Sequence, residues 1–177
     1  METASQAKSS ASSAQLLEST RTHANQGDAE SQFLLGVYYG ATAVERQDLP
    51  QSADWYRKAA EQDHALAQFN LGVIYSRGQG VVQDEGVSTM WMQKAAKSGD
   101  AGAQFHLGTL CHRASLNRTS TTAGDQRIES FKWFQLAAAQ DFPASIEFRD
   151  RITNDMSWAE VAEGNSRARR FGTEGVN

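Results

Sequence analysis

Apolar residues recur through residues 29–142 with the three- and four-residue spacing of amphipathic helices. Ala67, Leu71, Ile74 and Gly78 fall at i, i+4, i+7 and i+11, which places them on one helical face. The stretches around the tryptophans of this region show the same spacing. The pattern therefore predicts a series of helices.

Two sequence blocks recur through the same region and predict a repeat array. The first carries Gln-Phe and then Leu-Gly at fixed offsets and begins at three alanines 36 residues apart, Ala29, Ala65 and Ala101. The second has Ser three residues before a Trp and Ala-Ala four residues after it, and is centred on Trp55, Trp91 and Trp133. Because the second Trp spacing is 42 residues, six residues are inserted in the third unit, and we expect them in a long Ser/Thr-rich loop at 114–127.

Several residue types mark helix ends and helix contacts. Aspartates seven to eight residues before each Trp are expected N-caps: Asp48, Asp84 and Asp125. Glycines at 27 and 99 are expected to stop helices. Small residues in two columns are expected to let paired helices approach closely: Gly36, Gly72 and Gly108, with Ser52, Ser88 and Ser130.

These blocks resemble the Sel-1-like repeat, a relative of the tetratricopeptide repeat with a period near 36. The second unit matches the family pattern best: Leu71, Gly72, Tyr75, Gly78, Gly80, Val81, Asp84, Ser88, Trp91, Lys94, Ala95, Ala96 and Gly99. The third unit departs from it, with Cys111 in place of Tyr and Leu136 in place of Lys. Proteins of this kind are often bacterial.

The resemblance implies an all-α fold, a right-handed α-solenoid of antiparallel helix pairs with capping helices at both ends. Units are expected at 29–64, 65–100 and 101–142, with caps at 14–28 and 143–171, in one domain over 14–177. The final cap opens with a capping box at Ser157–Glu160. Residues 1–13 are rich in Ser and Ala without periodicity, and we expect a disordered tail.

In such a solenoid the first helix of each pair lines a concave groove, and the resemblance implies that a partner segment binds there. The groove positions with candidate contacts are Phe33, Val37, Phe69, Asn70, Val73, Arg77, Phe105, His106, Thr109, His112 and Arg113. Asn70 would bond the partner's backbone, and the two arginines would meet carboxylates. The alternative is that the phenylalanines belong to the core and the polar residues are merely solvated.

The composition of the chain limits the class of partner it can bind. Acidic residues outnumber basic ones by 21 to 17, which argues against nucleic acid and anionic membranes. No apolar run reaches membrane-spanning length, and residues 1–15 lack a signal peptide's apolar core. The chain as given is expected in the cytoplasm; an exported or periplasmic location is the alternative should a signal peptide have been removed.

The stretch "QFHLGTLCH" suggests a metal or thiol site, because Cys111 lies between His106 and His112. The histidines are six residues apart, about 240° around a helix, and cannot both join Cys111 on one face. We expect no metal, no cofactor and no catalysis. The predicted function is a scaffold or adaptor for another protein or peptide, monomeric or weakly homo-oligomeric. The alternative is an immunity or antitoxin-like inhibitor that blocks one effector enzyme.

Overall fold

A computed structural model describes residues 2–41, 48–117 and 121–174, and their side chains over 14–41, 48–117 and 121–172. These residues form nine α-helices and no strand. The helices are α1 (Glu2–Asn25), α2 (Ala29–Ala41), α3 (Leu49–Ala60), α4 (Ala65–Arg77), α5 (Glu85–Lys97), α6 (Ala101–Ser115), α7 (Ala123–Ala138), α8 (Ser145–Thr153) and α9 (Trp158–Glu174).

The helices gather into two compact units, Met1–Ser88 and Thr89–Asn177. In the first, α2 packs against both α1 and α3, and α3 packs against α4. In the second, α7 packs against α6, α8 and α9. Adjacent helices are thus paired, and the prediction of an all-α fold built from helix pairs is confirmed.

The first helices of the three repeats share one capping position. Asp28, His64 and Asp100 each accept a hydrogen bond from the backbone N–H three residues later, at 2.8, 3.2 and 2.7 Å. The preceding helices end at Gly27 and Gly99, whose φ angles of 99° and 90° favour glycine. The predicted glycine stops are confirmed.

The N-caps of the second helices follow the prediction only in part. Asp84 caps α5 by accepting from the backbone N–H of Val87 at 2.9 Å. Asp48 occupies the N-cap of α3, but its side chain makes no capping hydrogen bond. The prediction is wrong for Asp125, which lies in the first turn of α7, because that helix begins earlier than its counterparts and Thr122 is its N-cap.

The six inserted residues of the third unit lengthen helices instead of a loop. Helix α6 has 15 residues where α4 has 13, and α7 begins ten residues before Trp133 where α5 begins six residues before Trp91. Seven residues, 116–122, separate α6 from α7, and seven residues, 78–84, separate α4 from α5. The long loop predicted at 114–127 is therefore wrong at both ends, which are helical; residues 118–120 lie outside the described residues.

The small-residue columns bring paired helices together as expected. A Cβ at Gly36 or Gly108 would lie 2.6 or 2.7 Å from an aromatic ring carbon of the following helix. The serines add a contact, since the buried hydroxyls of Ser52 and Ser130 donate to the carbonyl oxygens of these glycines at 2.7 and 2.8 Å. Each serine therefore fixes the helix pair as well as leaving room for it.

Helices lie at both expected caps. In α9 the capping box is confirmed: the Ser157 N–H donates to Glu160 Oε2 at 2.8 Å, and the Glu160 N–H donates to Ser157 Oγ at 3.3 Å. Helix α1 runs back to Glu2, through the stretch whose composition predicts a disordered tail. That stretch holds no Gly or Pro to break a helix. The side chains of 1–13 lie outside the described residues, and disorder there stays a prediction.

Candidate functional site

Helices α2 and α4 are the first helices of the first two repeats, and both lie in the compact unit Met1–Ser88. They carry a mixed apolar and polar surface, here named the α2–α4 face. It consists of Phe33, Leu34 and Val37 on α2 and Leu66, Phe69, Asn70, Val73 and Arg77 on α4. It contains all six binding residues that the sequence predicts within 1–88.

A histidine ties α2 to α4 beneath this face. His64 Nδ1 accepts from the Ala67 N–H, so the other ring nitrogen, Nε2, carries the proton of the neutral imidazole and donates to Glu30 Oε2 at 3.1 Å. The ring also stacks on Phe33, with 4.6 Å between centroids. Cap, hydrogen bond and stacking together fix the α2–α4 face at its N-terminal edge.

Three aliphatic side chains of the α2–α4 face are exposed to solvent. Leu34 is 45%, Val37 41% and Leu66 50% exposed. Phe33 and Phe69 are half-buried, as are Asn70 and Val73. Neighbouring exposed aliphatic groups flanked by polar ones are typical of a surface that binds another protein.

Arg77 lies at the C-terminal end of the α2–α4 face and is exposed. It borders a cavity of about 390 Å³ that Leu49 and the 78–80 turn also line. Gly80 makes this turn: its φ is 74°, and a Cβ there would lie 2.4 Å from the Leu49 carbonyl carbon. The guanidinium is thus carried at the edge of a tight turn, where an acidic partner group can reach it.

In the compact unit Thr89–Asn177, helix α6 carries the remaining residues that the sequence predicts to bind a partner. Phe105 packs among the rings of Phe134, Phe142 and Phe148, with centroid distances of 5.5, 5.4 and 5.3 Å. Phe134 forms a buried core with Phe131 and Ile152, and the half-buried Phe105 and Phe148 pack against this core. Phe105 therefore has a structural role, and its part in partner binding stays a prediction.

The predicted polar binding residues of α6 differ in their exposure to solvent. Arg113 is exposed, while His106, Thr109 and His112 are half-buried. The Thr109 hydroxyl donates to the His106 carbonyl at 2.7 Å, so it is engaged within its own helix. Among the described residues no group bonds the buried Nδ1 of His112. Arg113 is the residue of this group most accessible to a partner.

Cys111 occupies the column that holds Tyr39 and Tyr75 in the earlier units. Those tyrosine hydroxyls accept from Arg21 and Arg57, at 3.2 and 3.3 Å. The shorter thiol is half-buried, and burial raises its pKa to about 11, with a smaller effect from nearby carboxylates. Because the thiolate is the reactive form, this side chain is a weak nucleophile at neutral pH.

Over the described part of the chain, no three His, Cys, Asp or Glu side chains are grouped so as to hold a metal ion. None of the helices described there combines the length and apolar character that crossing a membrane requires.

A charged cluster between α7 and α9 was not predicted from the sequence. Arg167 contacts Asp125, Glu129 and Glu163 at 2.8, 2.7 and 2.8 Å. Its hydrogen bond and charge hold the pKa of Glu163 below the ordinary value. Only the i, i+4 spacing of Glu163 and Arg167 is visible in the sequence. The contact with Asp125 depends on the early start of α7, which places this residue inside the helix, and the contact with Glu129 joins two helices that are far apart in the sequence.

Comparison with known proteins identifies the repeats. The family model described as Sel1 repeat matches residues 29–64, 65–100 and 101–142. The crystal structure of c5321, a protective antigen of uropathogenic Escherichia coli with an SLR fold, aligns with a TM-score of 0.74 and 26% identity over 88% of this chain. A Sel1 repeat protein from Oxalobacter formigenes aligns with a TM-score of 0.63 and 29% identity, covering 76% of this chain and 97% of that protein.

The alignment with the Escherichia coli antigen covers 32% of that protein, so this chain spans about one third of its length. A comparison with curated proteins finds no match.

Proposed function

The chain belongs to the Sel1 repeat family, whose members generally act as protein-interaction scaffolds, and we propose that it is a non-catalytic adaptor that holds a segment of a partner protein on the α2–α4 face. Sel1 repeat proteins are typically non-catalytic.

The observation that carries this proposal is the set of exposed aliphatic side chains on α2 and α4: Leu34, Val37 and Leu66. Each would lose contact with water on binding, which is worth about 25 cal/mol per Å² of apolar surface. The half-buried phenylalanines beneath them supply a firm base. Rigid elements that present exposed apolar groups bind with little ordering cost.

The polar groups of the same face indicate the chemistry of the partner. Asn70 offers both a donor and an acceptor to an extended backbone. Arg77 offers a planar donor pair to a carboxylate. We therefore propose a partner segment with apolar side chains followed by an acidic residue that reaches the C-terminal end of α4.

The test is affinity capture from the native source, followed by calorimetry with the purified partner. The test variant combines Val37→Glu with Leu66→Glu, which charges the aliphatic groups. We expect its affinity to fall by roughly tenfold or more, about 1.4 kcal/mol. Arg77→Glu alone is expected to weaken binding through lost charge pairing.

The matched control is Val82→Glu, because Val82 is 87% exposed in the turn before α5, outside the α2–α4 face. It makes the same chemical change in the same unit and should leave the affinity unchanged. Circular dichroism of every variant should show full helicity. Equal affinity for the double variant and the control would contradict the proposed site.

A further inference from the structure

Helices α1 and α2 enclose a second apolar surface, distinct from the exposed part of α4. It is a groove of about 510 Å³ lined by Leu16, Leu17, Leu34, Leu35 and Tyr38, here named the α1–α2 groove. Leu16 at its edge is 69% exposed. The volume lies within the range of about 300–1,000 Å³ of pockets that bury most of a bound group.

The last two helices expose a large aromatic residue. Trp158, at the first turn of α9, is 89% exposed, whereas the repeat tryptophans Trp91 and Trp133 are 7% and 9% exposed. Together with Met156 and Val161 it borders a shallow cavity of about 420 Å³. An indole carries roughly 150–250 Å² of surface, so its exposure leaves a large apolar area in water.

Trp158 begins a stripe along α9. Ala162, Asn165 and Arg169 follow it at i+4, i+7 and i+11, which is one helical face, and Ala162 and Arg169 are exposed. The stripe is thus apolar at the start of the helix and cationic near its end. We name it the α9 stripe.

The net charges of the two units are complementary. Residues 1–88 contain eleven acidic and six basic residues, whereas residues 89–177 contain ten acidic and eleven basic ones. Beside the α1–α2 groove, the Glu18 side chain is 74% exposed, and it pairs with Arg21 of the next helical turn at 3.8 Å. The α9 stripe carries Arg169. An acidic unit with an apolar recess therefore matches a more basic unit with a protruding indole.

We propose that the protein associates head to tail, with Trp158 and the α9 stripe of one copy seated in the α1–α2 groove of a second copy. Both halves of this interface are present in every molecule at equal concentration. The contact joins different surfaces of the two copies, so it is heterologous and leaves one groove and one stripe open in each dimer. Further copies add at those open ends.

The test uses two variants that each break one surface, Leu16→Glu and Trp158→Glu. Sedimentation velocity over a wide concentration range should show reversible association of the wild type and monomers for each variant alone. An equimolar mixture of the two variants should form a dimer and nothing larger, because it contains one intact groove and one intact stripe. Trp158→Ala should weaken association by roughly 30-fold, as expected of a central aromatic contact.

Three outcomes would overturn the proposal. A wild type that stays monomeric at its highest soluble concentration shows that the surfaces do not meet. Larger assemblies in the mixture, or loss of association in only one variant, show a symmetric contact or another interface. Leu34 borders both surfaces. Neither Leu16 nor Trp158 belongs to the α2–α4 face, so partner binding by each monomeric variant should survive, which separates this test from that of the proposed adaptor role.

Discussion

Replacing Gly108 with alanine tests whether close helix contact explains the glycine column. A Cβ at this position would lie 2.7 Å from both Cδ1 and Cε1 of Phe134 and 3.2 Å from Cγ. Ordinary contacts between such atoms begin near 3.4 Å, so the ring or the helix has to move by more than half an ångström. The ring cannot move freely, because Phe134 is fully buried and packs against Phe105 and Phe148.

Two opposing effects determine how much Gly108→Ala changes the free energy of unfolding. Overpacking a tight core costs about 1–3 kcal/mol, and contact with a rigid, enclosed ring favours the upper end of this range. Alanine gains about 1 kcal/mol of helix propensity over glycine within α6. The expected net loss is therefore about 2 kcal/mol, which corresponds to a Tm lower by roughly 4–8 °C for a chain of this length.

Thermal and urea unfolding followed by circular dichroism would measure the change. Gly172→Ala is the matched control, since Gly172 also lies in a helix and a Cβ there meets no heavy atom within 4 Å. The control should be neutral or slightly stabilising, by up to about 1 kcal/mol. A Gly108→Ala variant as stable as the wild type would refute the steric explanation of the column.

Three further predictions concern His64, Cys111 and the α7–α9 cluster. His64→Ala should lower the unfolding free energy by about 0.5–2 kcal/mol in urea titrations, whereas His64→Asp should keep the cap; equal losses would show that capping is irrelevant. Cys111, with a pKa of about 11, should react slowly with Ellman's reagent in the native protein at pH 8 and rapidly in urea; fast native labelling would contradict its burial. Arg167 lowers the pKa of Glu163 in the folded state, so this carboxylate stabilises the fold above the pKa of an unfolded-state glutamate, near 4.3. The stabilisation is lost as the pH falls through the lowered pKa of the folded state. Acid titration followed by the intrinsic fluorescence of the tryptophans should therefore show a transition below pH 4.3 that is weaker in Arg167→Met, and identical curves would exclude the ion pair.

The repeat made most of the fold predictable. A side chain that recurs at a fixed period has the same neighbours each time, so the glycine stops and the small-residue columns could be inferred from local spacing. Of the three expected N-caps, only Asp84 makes a capping hydrogen bond. The six inserted residues could not be placed in this way. Their sequence contains both loop-forming and helix-forming residues, and the choice depends on packing: the extended start of α7 brings Asp125 to Arg167 of α9, about forty positions away in the chain.

The candidate site was predictable only as a set of positions. Periodicity identifies which side of a helix a residue occupies, but exposure also depends on what the neighbouring helices cover. Val37 and Arg77 are exposed as a binding role requires, whereas Phe105 is half-buried and packs against three other phenylalanine rings. The apolar α1–α2 groove was missed because it is formed by side chains of two helices, neither of which shows an unusual pattern alone.

Departures from the repeat pattern are also informative when the lost contact is replaced from elsewhere. In the first two repeats, the lysine three residues after the Trp makes a cation–π contact, with its ammonium 3.9 and 4.5 Å from the centroid of the Trp ring. Leu136 removes this lysine from the third unit. Lys132, which directly precedes Trp133, lies 4.0 Å from the centre of that ring instead. The contact is therefore kept although its position in the sequence has changed. What recurs in this chain is a cation beside each repeat tryptophan. The sequence pattern alone would class the third repeat as degenerate, although the contact is present there.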